Sequence, residues 1–203
     1  HLIFNFEYQE KKDRIPLADI PLIGRHNLIN AMSSALCALM LEIPIRKVLE
    51  GMKSFKNAPH RLEMVAEIDQ VKFINDSKAT NVDAVYYALE GIKEPIIWIA
   101  GGIDKGNDYS ILDQWVAQKV KGIVCLGIDN TKIENHFSGK VPFLDRASSA
   151  REAIQSAWEI ASAGDVVLLS PACASFDLFI NYEDRGDQFK EAVGSLNLKL
   201  ASI

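Results

Sequence analysis

Short apolar runs alternate with longer amphipathic stretches along most of this 203-residue chain, and the pattern changes character near residue 58. Over 27–41 the run N-L-I-N-A-M-S-S-A-L-C-A-L-M-L carries apolar residues on nearly every face, which predicts a buried helix. A second helix is predicted over 44–55 with Pro44 at its start, and Asn57 and Pro59 then break the pattern, as at a domain boundary. Ahead of these helices, residues 1 to about 25 read as short strands and turns around a polar segment and Pro16 and Pro21. After Arg61 strands and helices alternate. Residues 64–68 and 71–75 read as a hairpin closed by a tight turn at Asp69 and Gln70. Helices follow over 82–91, 111–119, 129–136 and 148–161, and short strands over 96–100, 122–126, 141–144 and 166–169, with 189–196 inside a closing helix.

Short apolar strands separated by helices call for a mostly parallel sheet with helices on both faces. Residues 58–203 are therefore expected to form a doubly wound, Rossmann-like α/β domain, with 1–57 belonging to a different one. Composition narrows the partners. The net charge of −5 and the lack of a basic cluster interleaved with aromatics argue against nucleic acid. The longest apolar stretches fall far short of the roughly 20 residues that a membrane helix needs. Cys37, Cys125 and Cys173 are widely spaced in apolar surroundings without a C-x-x-C pair, so neither disulfides nor a metal site is expected, and a reducing cytoplasm fits. A chain that starts at His1 with no charged, then apolar leader reads as an excised piece or a processed product.

In open parallel sheets, ligands bind at the carboxyl ends of the strands. Three polar loops stand at such ends. Asn75-Asp76-Ser77-Lys78-Ala79-Thr80-Asn81 precedes a helix, where Ser, Thr, Asp and Asn commonly cap, yet the Lys78 charge opposes the helix dipole unless an anion binds. Gly101-Gly102-Ile103-Asp104-Lys105-Gly106 has neither Walker nor G-x-G-x-x-G spacing; its glycines allow either close backbone approach or a tight turn, and Lys105 either meets a carboxylate or is solvated. Ser170-Pro171-Ala172-Cys173-Ala174-Ser175 is followed by Phe176, Asp177 and Tyr182. Cys173 reads as a packed thiol, with no histidine near it in sequence, and Asp184, Arg185 and Asp187 as a solvated cap and charge pair before the last helix. Upstream, Asn27 and Asn30 share a helix face and could cap or read a purine edge, and Arg61, in His60-Arg61-Leu62-Glu63, could clamp a phosphate or pair with Glu63.

Taken in order, G-R-H-N-L-I-N, H-R-L-E, N-D-S-K-A-T-N, G-G-I-D-K-G and L-S-P-A-C-A-S-F-D-L-F-I-N-Y-E-D-R-G-D-Q-F resemble the Mur ligase family, and within it the members that add D-glutamate. The first two motifs are shared in looser form with folylpolyglutamate synthetases; the last three are more specific, and the match covers all but the opening 20 or so residues. The resemblance implies the end of a central ATPase domain over 1–57 and a carboxyl-terminal amino-acid-binding domain over 58–203. It implies an acyl phosphate, formed with ATP and Mg2+ on UDP-N-acetylmuramoyl-L-alanine and attacked by the amine of D-glutamate, in a monomeric cytoplasmic enzyme. By motif, Asn27, Asn30, Arg61, Asp76 and Lys78 are assigned to the nucleotide side. Thr80, Lys105 and Ser175, with Phe176 and Tyr182 beside them, are assigned to D-glutamate; Tyr182 stands where the family usually has Phe. The family's Walker loop, magnesium-binding acids and carbamate-bearing lysine are not found in this sequence and would precede His1, so the chain is expected to be inactive alone. A non-catalytic nucleotide- or partner-binding module and a related amino-acid-adding ligase remain alternatives.

Overall fold

The structure, a computed structural model, describes residues 3–8, 11–16, 25–55 and 57–200. The chain divides into two compact units, 1–57 and 58–203.

In the first unit, β1 (Ile3–Tyr8) and β2 (Lys11–Pro16) pair antiparallel, followed by α1 (Arg25–Met40) and α2 (Ile45–Ser54). A small core joins Ile15, Ala35 and Val48, with Leu28, Ala31 and Leu39 packed against it. The buried helix expected over 27–41 forms, but only one stripe of it is covered. Leu28, Ala31, Ala35 and Ala38 recur on one face, whereas Ile29, Met40 and Leu41 are 52%, 49% and 76% exposed. An all-round apolar pattern requires neighbours on every side, and this unit supplies them on one. Cys37 is likewise exposed rather than packed.

The second unit is a six-stranded sheet in the order β3-β4-β8-β5-β6-β7. Its strands are β3 (Glu63–Ile68), β4 (Val71–Asn75), β5 (Ile96–Gly101), β6 (Val120–Leu126), β7 (Phe143–Ala147) and β8 (Val166–Ala172). β3 and β4 form the expected hairpin; Asp69 and Gln70 both have positive φ, as a two-residue turn matched to strand twist requires. The other pairings are parallel. Every residue of β5 and β8 is buried, which places them in the interior of the sheet.

Alternate residues of each strand feed opposite layers. On one face Ile74, Ile96, Trp98, Ile123 and Leu168 pack against α3 (Val82–Gly91), α4 (Asp113–Lys119) and α5 (Thr131–Phe137). On the other, Phe73, Ile97, Ile99, Val124 and Leu169 pack against α6 (Ala150–Ile160) and α7 (Tyr182–Leu200). The doubly wound α/β fold is the one read from the sequence. Most boundaries shift by one to three residues, β8 running on to Ala172 and β7 lying at 143–147 instead of 141–144, and two differences matter to the site. The helix expected over 111–119 begins as a 3-10 turn, Tyr109–Leu112, with Asp108 accepting from the Ser110 N–H. The closing helix starts at Tyr182, so Asp184, Arg185 and Asp187, read as standing before it, lie inside it.

Candidate functional site

Topology selects the crevice. β4 and β5 flank β8 and run on into α3 and α4 on the first face, while β8 runs on into α7 on the second. Chains that part in opposite directions leave a gap beyond the carboxyl ends of the strands, the usual ligand position in such sheets. The loops after β4, β5 and β8 are the three that the sequence singles out.

Arg185 binds these loops together. Its side chain is fully buried and donates to Ser77 Oγ at 3.0 Å, to the Ser77 carbonyl at 2.9 Å, to the Cys173 carbonyl at 3.2 Å and, more weakly, to the Gly101 carbonyl at 3.5 Å. Burial pulls its pKa down to about 10, with Cys173 and Asp177 opposing the shift. The expectation of a solvated charge pair is thus wrong for Arg185. The signal that could have placed it was Asn181, three residues before Asp184: the Asn181 carbonyl-type side-chain oxygen accepts from the Asp184 N–H at 2.7 Å, and Asp184 reaches back to the Ile180 N–H at 2.9 Å, a reciprocal helix cap. With the helix begun there, Arg185 falls on its buried face.

Asp76 is buried beside this cage. It accepts from the Leu62 N–H at 3.1 Å and from Ser170 Oγ at 2.9 Å. Burial drives its pKa up to about 7; the Ser170 and Leu62 hydrogen bonds and the charge of Arg61 pull the other way without cancelling it. Asn75, also buried, accepts from the Ser77 N–H and donates to His60 Nδ1 at 3.0 Å, to Glu63 at 3.2 Å and to the Gly186 carbonyl. His60 and Leu62 have left-handed backbone (φ 64° and 43°), and Arg61 stands between them, exposed. Such backbone is costly for non-glycine residues and persists where the surroundings hold it. Glu63 accepts from His60 N–H and Asn75 and lies 3.8 Å from Lys190, and no Arg61–Glu63 ion pair forms among the described residues.

The Lys78 ammonium sits 3.7 Å from the centroid of the Tyr182 ring, so the charge that opposed the helix dipole is taken up by an aromatic face. The helix cap itself is Asn81, which accepts from the Ala84 N–H. Thr80 is half-buried between these two. Across the crevice, Ile103 and Ala174 exchange backbone hydrogen bonds at 2.8 and 3.1 Å, joining the Lys105 loop to the Ser175 loop. Gly102 permits that approach: a Cβ there would lie 2.2 Å from the Ala174 carbonyl oxygen. Lys105 is exposed, Ser175 buried and Phe176 69% exposed. Cys173 is buried, its thiol pKa raised by that burial, and its sulfur contacts Tyr109 Oη at 3.3 Å. It is a packed thiol, as read from the sequence.

Of the sequence candidates, Arg61, Asp76, Lys78, Thr80, Lys105, Ser175, Phe176 and Tyr182 all lie on loops or a helix start at this end of the second unit. Asn27 and Asn30 lie in the opening turns of α1, in the first unit. Among the described residues no group of three His, Cys, Asp or Glu side chains could hold a metal ion, and no helix is long and apolar enough to cross a membrane.

A doubly wound domain whose polar loops gather at the carboxyl ends of its strands belongs to the class of open, mostly parallel α/β folds. Within that class, residues 60–173 match the Mur ligase, glutamate ligase domain family, and the chain belongs to the Mur ligase family. It is 53% identical over 175 residues to the UDP-N-acetylmuramoylalanine--D-glutamate ligase of Cytophaga hutchinsonii, covering 86% of this chain and 39% of that protein. It is 52% identical over 179 residues to the ligase of the same name from Porphyromonas gingivalis, covering 88% and 39%. The chain thus spans about two fifths of the length of these relatives. The fold matches that of a pseudomurein peptide ligase type C from Methanothermus fervidus, with a TM-score of 0.63 at 18% identity over 96% of this chain and 40% of that one.

Proposed function

We propose that this chain is the amino-acid-binding portion of an ATP-dependent ligase that joins D-glutamate to UDP-N-acetylmuramoyl-L-alanine in peptidoglycan precursor synthesis. Residues 58–203 serve as the amino-acid-binding domain and 1–57 as the end of a central ATP-binding domain of a monomeric cytoplasmic enzyme. The observation that carries this reading is the bridged pair of loops at the crevice. Lys105 is exposed and makes no ion pair among the described residues, and its loop is stitched through Ile103 and Ala174 to the loop carrying Ser175.

A dicarboxylic amino acid needs a cation and hydrogen-bond donors at two separated points. Lys105 and Thr80 supply them for one carboxylate and Ser175 for the other, with Tyr182 and Phe176 lining the apolar methylenes. On the nucleotide side, Arg61 is exposed and without an ion pair among the described residues, which suits a phosphate, while the spare acceptor capacity of Asp76 suits a ribose hydroxyl. Lys78 lends positive charge to this side, and in the first unit, taken by itself, Asn27 and Asn30 keep their motif assignment to adenine. Mg2+ would stabilise the developing phosphate charge, held by ligands other than these residues. What these side chains would contribute is orientation: the amine of the incoming amino acid is held facing the carbonyl carbon of the acyl phosphate, from which phosphate leaves.

The test is ligation of D-glutamate by the complete ligase carrying Lys105→Ala. A charge-assisted contact is worth about 1.5–3 kcal/mol, so the D-glutamate KM should rise about 10- to 100-fold with the ATP KM within twofold. Unaltered use of D-glutamate would remove Lys105 from the site and with it the reading.

A further inference from the structure

The segment bearing Lys105 is not built like a solvated loop. Asp104 Oδ1 accepts from the Gly106 N–H at 2.7 Å, the Asn107 N–H at 3.1 Å and the Lys132 ammonium at 3.1 Å. Its Oδ2 accepts from the Tyr109 hydroxyl at 2.8 Å. The Asn107 amide donates to the Tyr109 oxygen at 3.2 Å and to the Ala172 carbonyl at 3.0 Å, and lies 3.5 Å from Cys173 Sγ. The Tyr109 oxygen itself is 3.3 Å from Cys173 Sγ. Its ring is buried against Phe137, with centroids 5.9 Å apart, so this hub is fastened to the core. Burial alone would raise the Asp104 carboxyl, but the hydrogen bonds from Tyr109, Gly106, Lys132 and Asn107 outweigh it and hold the group below its ordinary value.

Lys105 therefore stands between two residues that are both anchored. On one side Ile103 is bridged to Ala174, and Asp104 is tied to Tyr109; on the other Asn107 is tied to Ala172. The Ile103 and Asn107 ties end on Ala174 and Ala172, and the Asp104 tie reaches Cys173 through Tyr109, all in the stretch that leads directly into Ser175. A lysine on a free loop could meet carboxylates over a wide range of separations. Pinned at both flanks to the neighbouring loop, it samples few, and misplacement by about 1 Å can cost two orders of magnitude in rate.

We propose that Asp104, Asn107 and Tyr109 are positioning residues that set the separation of Lys105 from the Ser175 loop and so select a dicarboxylate of glutamate's length. The inference rests on the D-glutamate reading above. Tyr109→Phe keeps the ring and removes the hub hydroxyl; Asp104→Asn keeps an acceptor for the backbone N–H groups and removes the charge. In the complete ligase each variant should raise the D-glutamate KM about fivefold, the scale of one or two lost hydrogen bonds. The ATP KM should stay within twofold, and the preference for D-glutamate over D-aspartate in kcat/KM should fall by a similar factor. A purely structural network would instead lower kcat and melting temperature together while leaving the D-glutamate KM and the D-glutamate to D-aspartate ratio at wild-type values; that result overturns the proposal. If Asp104→Asn does not fold, Tyr109→Phe decides alone. A wild-type ligase that does not use D-glutamate would sink the functional reading itself, an outcome visible before any variant is made.

Discussion

At the amino end of the parallel sheet, Lys121 meets Asp165 at 2.6 Å and Lys72 meets Glu94 at 2.8 Å. At the carboxyl end, Arg185 and Asp76 are both buried, and neither makes an ion pair within 4.0 Å among the described residues. The first end matches charge with charge: Lys72, Glu94 and Lys121 are partly exposed, and the buried Asp165 has Lys121 as its counter-ion. The second satisfies these two charge-bearing groups with carbonyls, two hydroxyls and a backbone amide, in backbone that includes three left-handed non-glycine residues, His60, Leu62 and Ala172. Buried ionisable groups without counter-ions cost stability, and such costs cluster where ligands bind. The contrast locates function at one end of a sheet whose core is alike throughout.

The contrast breaks first at Arg185. Arg185→Met would leave the Ser77 and Cys173 carbonyls and Ser77 Oγ without their donor in the interior. We expect a loss of about 2–5 kcal/mol, the scale of two or three buried acceptors left unsatisfied at about 1–3 kcal/mol each and offset in part by removing a buried charge, measured by urea unfolding. Asp165→Asn at the other end keeps an acceptor for the Ser162 N–H and removes the buried charge itself, and the Lys121 it releases is partly exposed and can be hydrated, so about 1 kcal/mol is expected. Equal losses at the two ends would erase the distinction.

Arg185 also shows where sequence reading runs out. The strands were legible because short apolar runs between turn residues have few other uses: β4 and α3 fall on their expected residues, and β5 within one. The three ligand loops were legible because polar residues directly after buried strands have no core to join. The start of α7 was not. Its opening, Y-E-D-R-G-D-Q, is charged and contains Gly186, which locally reads as loop. That glycine answers to a contact distant in sequence: a Cβ on it would lie 2.1 Å from His60 Nδ1 and 3.0 Å from Asn75 Nδ2. Likewise, nothing local to Asp104, Asn107 or Tyr109 announces that they share a hub with Cys173, because the pairing is set by which strands are neighbours.

Asp76 supplies the next test. Its folded pKa, near 7, lies above the usual aspartate value of 3.8, so between those values the folded chain holds a proton that the unfolded chain has released. Stability from this group is complete below about pH 4, falls as pH rises and is lost above about pH 7, by roughly 2–4 kcal/mol over the window. Asp76→Asn should flatten that slope, read as the difference between wild-type and variant urea midpoints at pH 5 and pH 8. A slope identical in both proteins would mean that Asp76 is already ionised in the fold, and the carboxyl end would then resemble the amino end more closely.

The smallest effect concerns Lys78 and Tyr182, where a cation at the carboxyl end meets an aromatic face instead of a carboxylate. The ammonium lies 3.7 Å from the ring centroid, and the attraction comes from the ring quadrupole, which the phenol oxygen alters little. Tyr182→Phe should therefore change stability by less than about 0.5 kcal/mol, while Tyr182→Leu, which removes the face, should cost about 0.5–1 kcal/mol. Pairing each with Lys78→Met separates contact from packing, because the coupling energy of the double-mutant cycle cancels what the ring buries on its own. Coupling retained with Phe and lost with Leu would make the aromatic face the counter-charge for Lys78. No coupling with either would leave Lys78, like Arg61 and Lys105, a cation waiting on an anionic ligand, and would make the difference between the two ends of the sheet larger than the static geometry suggests.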